Sequence, residues 1–201
     1  MYDLRLVFDC TLALVVLINP VSKIFVITTF SENTPFDKIK KVVIKASAVA
    51  LGILFVFALT GNFVLQSIFH VNIYSLKIVG GIVLLLRGYQ ALNKGLFFET
   101  SATQRLEDLS IVPLASPMIA GPATIAASVS FPSIYGVGTT LIAICISVVL
   151  TALIMFLAPR INLFLTKFNI MGALIRITGL IVATIGIQMV LDGLRNYIEV
   201  L

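Results

Sequence analysis

Six stretches of this chain stay apolar for about as long as the ~20 residues a helix needs to cross the hydrocarbon core of a bilayer. They are Leu4–Phe30, Val42–Phe69, Ile73–Asn93, Ile111–Ser130, Tyr135–Ala158 and Gly172–Asn196. None shows the ten-residue alternation of a membrane β-barrel. Hydrophobic residues make up 59% of the 201-residue chain and charged residues 11%, against about 25% charged in a soluble domain. A soluble fold of this size has no interior large enough to hide that surface. The sequence predicts an all-α integral membrane protein with six transmembrane helices. Leu4–Phe30 would reach roughly 40 Å as one helix across a core of about 30 Å, so it must tilt, protrude or break.

The net charge of +5 comes from Lys and Arg gathered in short loops, which is not a nucleic-acid signature. Lys38, Lys40, Lys41, Lys45, Lys94, Arg105, Arg160 and Lys167 fall on one side of the predicted spans. Arg5, Lys77 and Arg195 fall on the other. Eight cations against three put the odd-numbered loops in the cytoplasm and both termini outside. The chain therefore reads as a multi-pass protein of a prokaryotic plasma (inner) membrane, in contact with lipid. Cys10 and Cys145 lie inside apolar runs and read as small core residues.

The polar stretch Gly95–Ser110 divides the chain into residues 1–94 and 111–201 of one transmembrane domain. Lys77-Ile78-Val79-Gly80 in the third segment answers Arg176-Ile177-Thr178-Gly179 in the sixth, 99 positions later. Asn19-Pro20 in the first answers Ser116-Pro117 in the fourth, 97 positions later. Each half holds three spans, an odd number, so the second half starts from the opposite face. The expectation is a pair of inverted three-helix repeats, a plan common among secondary transporters.

Proline inside a helix removes a donor and clashes with the preceding turn. Pro20 and Pro117 sit mid-segment, and Gly121 and Pro122 follow closely, so the first and fourth helices are expected to break. Broken helices in matching positions of two repeats point to a midplane binding site. The candidate substrate-binding residues are Asn19, Pro20, Ser22, Ser116, Pro117, Gly121, Pro122 and Thr124. Lys23 snorkels towards the basic loop, forms a structural pair, or lines the cavity in contact with substrate. Gln188 either lines the cavity or bonds a neighbouring helix. Gly80, Gly81, Gly88, Gly179 and Gly186 read as close-packing positions. No metal-ligand cluster, nucleotide-binding loop or nucleophile motif occurs, so neither an enzyme nor a cofactor is expected.

Asn19-Pro20, the run from Pro113 through Ser116-Pro117 to Ala120-Gly121-Pro122, and Gln188 through Asp192-Gly193 resemble the MarC family, part of the LysE-like exporter superfamily. The resemblance covers essentially the whole chain. It implies six spans and transport of small neutral amino acids such as glycine and alanine. One departure lies in the first motif, where the family's usual Asn/Asp-Pro-x-Gly is Asn19-Pro20-Val21-Ser22. H⁺ or Na⁺ would serve as coupling ion, and a homo-oligomer is compatible with the reading. The alternatives are an exporter of other small metabolites and a membrane scaffold without transport activity.

Overall fold

The structure is a computed structural model that describes residues 3–31, 35–68, 70–95, 114–168 and 170–199. Seven α-helices and two π-helical turns account for nearly all of them, with no strand among the described residues. The helices are α1 (Leu4–Ile18), α2 (Pro20–Ser31), α3 (Phe36–Phe63), α4 (Ile73–Lys94), α5 (Pro122–Tyr135), α6 (Val137–Lys167) and α7 (Met171–Ile198). Most of the segment Gly95–Ser110 lies outside the described residues.

Five helical stretches are long and apolar enough to cross a membrane: Leu4–Thr28, Phe36–Ile68, Ile73–Lys94, Val137–Leu165 and Met171–Ile198. The fourth apolar segment, Ile111–Ser130, is not among them. Its described part is a π-helical turn over Leu114–Ile119, a break, and then the start of the 14-residue α5, which runs on to Tyr135. The helices also run beyond the expected spans. Lys40, Lys41 and Lys45 lie in the early turns of α3, and Arg160 and Lys167 lie in α6, which continues through Pro159. These cations therefore sit on helix ends rather than in loops. A helix longer than the hydrocarbon is thick carries its charged turns into the interface.

α6 packs against α1, α2 and α3, while α4 and α7 form a pair of their own, with α5 bridging the two groups. Large apolar side chains such as Leu4, Phe63, Leu86, Leu163 and Leu180 are exposed. On a soluble protein such a surface would invite association; here it is what lipid wets. Inside, several hydroxyls return to their own helices, as Ser128 donates to Thr124 O at 2.8 Å and Thr151 to Ser147 O at 2.8 Å, while Ser147 donates across to Thr11 O of α1 at 3.2 Å. Each thereby buries its polar group at little cost.

The α4–α7 pair is held by backbone contact. A Cβ on Gly81 would lie 2.5 Å from Gly186 O, and one on Gly88 2.5 Å from Gly179 O. Neither carbonyl can retreat without bending its helix, so both positions require glycine. Each step of seven forward along α4 is a step of seven back along α7, so the helices run antiparallel. Gly80 faces α5 instead, where its Cβ would lie 3.3 Å from Pro122 O. That close approach brings the start of α5 to the middle of α4.

Candidate functional site

α1 stops at Ile18. Asn19 adopts the left-handed conformation, φ 54° and ψ 76°, with its N–H on Val15 O. Asn tolerates that region better than most residues, because its short polar side chain bonds locally. Pro20 then opens α2, where a fixed φ and a missing donor cost nothing. The Ser22 hydroxyl donates to Asn19 O at 2.7 Å. The Lys23 ammonium donates to Ile18 O, and to Ser22 Oγ at 3.1 Å. A cation on the last carbonyl of α1 meets the negative end of its dipole. That contact makes a 3% exposed lysine tolerable at this depth.

The second break shares a helix opened by proline and a hydroxyl on its third residue. Ala120 N–H closes the π-helical turn onto Ala115 O at 2.8 Å. Gly121 is extended, φ −84° and ψ 170°, and Pro122 opens α5. Thr124 Oγ1 donates between Ile119 O at 2.8 Å and Gly121 O at 2.9 Å. In local geometry the partner of Asn19-Pro20 is therefore Gly121-Pro122 rather than Ser116-Pro117. Ser116 and Pro117 belong to the π-helical turn, and their side chains lie outside the described residues.

The two breaks share a cavity of about 270 Å³. Asn19, Ser22 and Lys23 line it from the start of α2, and Gly121, Pro122 and Thr124 from the start of α5. Val83, Leu84 and Arg87 close it from α4, and Val182 from α7. These positions fall near the middle of both long helices. Pro20 is not among the lining residues; it begins α2 behind them. Gln188 lines a different cavity of about 510 Å³, with Asp9, Lys77, Ser130 and Asp192. There it donates to Asp192 Oδ1 at 2.9 Å. Leu17 belongs to both walls, so the two spaces are neighbours.

Arg87 is a charged lining residue that the motifs do not mark. Its signal in the sequence is a cation about one turn past the centre of an apolar helix, a position that only pairing or a polar cavity makes tolerable. It donates to Gln90 Oε1 at 3.3 Å.

The chain matches the description "MarC family integral membrane protein" over residues 4–198. It belongs to the MarC family. It is 30% identical over 190 residues to a UPF0056 membrane protein of Pyrococcus horikoshii, covering 94% of each chain. It is also 32% identical over 192 residues to one of Methanocaldococcus jannaschii, covering 90% of this chain and 91% of the other. The UPF0056 membrane protein YvbG of Bacillus subtilis is 29% identical over 194 residues, covering 91% of each. No solved structure matches significantly. This MarC family chain is thus an integral, multi-pass membrane protein with archaeal and bacterial relatives.

Proposed function

We propose that the protein is a secondary transporter of small neutral amino acids, of the glycine and alanine type, with its substrate site in the 270 Å³ cavity. The observation that carries this reading is the meeting of two half-helix N-termini, those of α2 and α5, on one space near the middle of the fold. First-turn N–H groups lack intrahelical partners, and the dipole adds positive potential there, so such an end favours a carboxylate. Asn19, Ser22 and Thr124 add groups that accept from an ammonium. The cavity lies just below the roughly 300–1,000 Å³ typical of drug-sized ligands, which suits a small metabolite.

The reading includes inverted repeats. Gly81 faces Gly186, so the antiparallel register centres three residues on from one and three back from the other, on Leu84 and Ala183. These are 99 positions apart, the offset of the sequence repeat. An axis relating the halves would pass between them, beside the cavity that Leu84 lines. The remaining parts of the reading are a prokaryotic inner membrane, external termini, coupling to H⁺ or Na⁺, and no enzymatic step. Uptake of labelled alanine into proteoliposomes, against empty liposomes, tests it. Uptake that saturates and falls in Thr124→Ala supports the reading. Uptake equal to that of empty liposomes, for alanine and glycine alike and under H⁺ and Na⁺ gradients, overturns it.

A further inference from the structure

We propose that the Lys23 ammonium is a tethered cation, filling the place at the α1 break where a transporter of this plan would bind Na⁺, so that this chain works without Na⁺ coupling. The inference rests on the transport reading and narrows its coupling ion. In secondary transporters with broken helices, carbonyls freed at a half-helix C-terminus coordinate the coupling cation. The end of α1 is such a C-terminus, and Lys23 Nζ lies on it. Its partners are Ile18 O, on the last residue of α1, and Ser22 Oγ at 3.1 Å. Ser22 directs its own proton to Asn19 O at 2.7 Å, so it turns lone pairs towards Lys23. A carbonyl oxygen and a hydroxyl oxygen therefore face one positive centre beside the negative end of a helix dipole. Oxygens of this kind are the donors that a hard cation takes.

Comparison of the two breaks shows that the charge does more than satisfy a carbonyl. At the start of α5 the neutral Thr124 hydroxyl meets Ile119 O, five residues back, at 2.8 Å, and Gly121 O at 2.9 Å. Lys23 also reaches five residues back, to Ile18 O. The same offset is thus bridged by a hydroxyl at one break and by a unit charge at the other, on a residue 3% exposed. Burying an ammonium costs far more than burying a hydroxyl, so the charge itself has a role at α1. Lys23 shares the cavity wall with Asn19 and Ser22, which puts that charge beside the substrate space. A tethered cation keeps the charge balance of the break at every step, with no ion arriving or leaving with the substrate.

The test compares full-length wild type and Lys23→Ala in NaCl and in choline chloride at equal ionic strength and pH. Wild-type alanine uptake into proteoliposomes, and the wild-type melting temperature, should be the same in both salts. Lys23→Ala opens the oxygens to a free cation. It should melt lower than wild type in choline chloride and regain a few degrees in NaCl, saturably, because an ion that binds the folded state alone stabilises it by mass action. Its alanine uptake should now rise with Na⁺. Na⁺ raising the uptake or the melting temperature of wild type above the choline value would overturn the inference and leave alanine transport standing. So would a folded Lys23→Ala that melts identically in both salts, the result expected if Lys23 only caps α1. If Lys23→Ala fails to fold, the wild-type comparison still decides. Wild-type uptake absent in both salts, with Na⁺ restoring the melting temperature of Lys23→Ala, would remove transport and keep the tethered cation.

Discussion

Ser22 and Thr124 hold the same station in two different half-helices. Each is the third residue of a helix opened by proline, and each donates its hydroxyl to the carbonyl just before that proline. Ser22 donates to Asn19 O at 2.7 Å and Thr124 to Gly121 O at 2.9 Å. The carbonyls at the end of the preceding segments are met as well, Ile18 O by Lys23 and Ile119 O by Thr124. At this depth no water is guaranteed, and a broken helix must satisfy its freed groups from side chains nearby. The same pairs stand at the cavity wall, so the fold's solution to its breaks is also the lining of the site.

Thr124→Ala should lower stability. One hydroxyl serves two carbonyls at a residue 1% exposed. Gly121 O keeps the Ile125 N–H at 2.8 Å, but leaving the buried Ile119 O unpaired costs ~1–3 kcal/mol. A fall in melting temperature of the detergent-purified protein checks this, and Thr124→Ser should restore most of it. An unchanged melting temperature in Thr124→Ala would mean that water already serves the Ile119 carbonyl.

Asn19 carries two demands that two substitutions separate. Its backbone is left-handed, which costs an ordinary residue about 1–2 kcal/mol. Asn19→Ala should therefore lose both stability and alanine affinity. Asn19→Gly should keep the fold, because glycine takes φ of 54° freely, and should still lose affinity by roughly 3- to 10-fold as the amide leaves the cavity. Wild-type affinity in Asn19→Gly would remove the side chain from the site.

Gly81→Ala and Gly52→Ala should act in opposite directions. The new methyl at position 81 would meet Gly186 O at 2.5 Å, whereas nothing lies within 4 Å of position 52. Overpacking costs typically 1–3 kcal/mol, while alanine in an open helix position gains about 0.5–1 kcal/mol over glycine. Thermal melts of the two variants decide the matter. A Gly81→Ala protein as stable as wild type would show that α4 and α7 do not approach so closely.

The excess of cations on one side of the expected spans predicts external termini. A cysteine replacing Ser101, in a background lacking Cys10 and Cys145, should resist impermeant thiol reagent in intact cells, and one added after Leu201 should react. The opposite pattern would put the termini inside.

Much of this protein is legible in one dimension because the bilayer imposes a one-dimensional rule. A run of about 20 apolar residues is expected to cross the bilayer as helix, so the helical class and five of the six spans follow from length and hydropathy, while Ile111–Ser130 is interrupted at Gly121-Pro122. Asn19-Pro20 and Gly121-Pro122 mark their breaks by local chemistry, since proline cannot continue a helix through its own missing donor. Which residues share a space is a different kind of fact. Ser116-Pro117 looks like the partner of Asn19-Pro20 as a string, yet Gly121-Pro122 opens the matching half-helix, because the intervening residues close a π-helical turn first. Gln188 lines the neighbouring cavity, while Arg87 lines the candidate site. The approach of α4 to α7 and α5 decides these memberships, and it depends on glycines that let backbones touch across about a hundred residues of sequence.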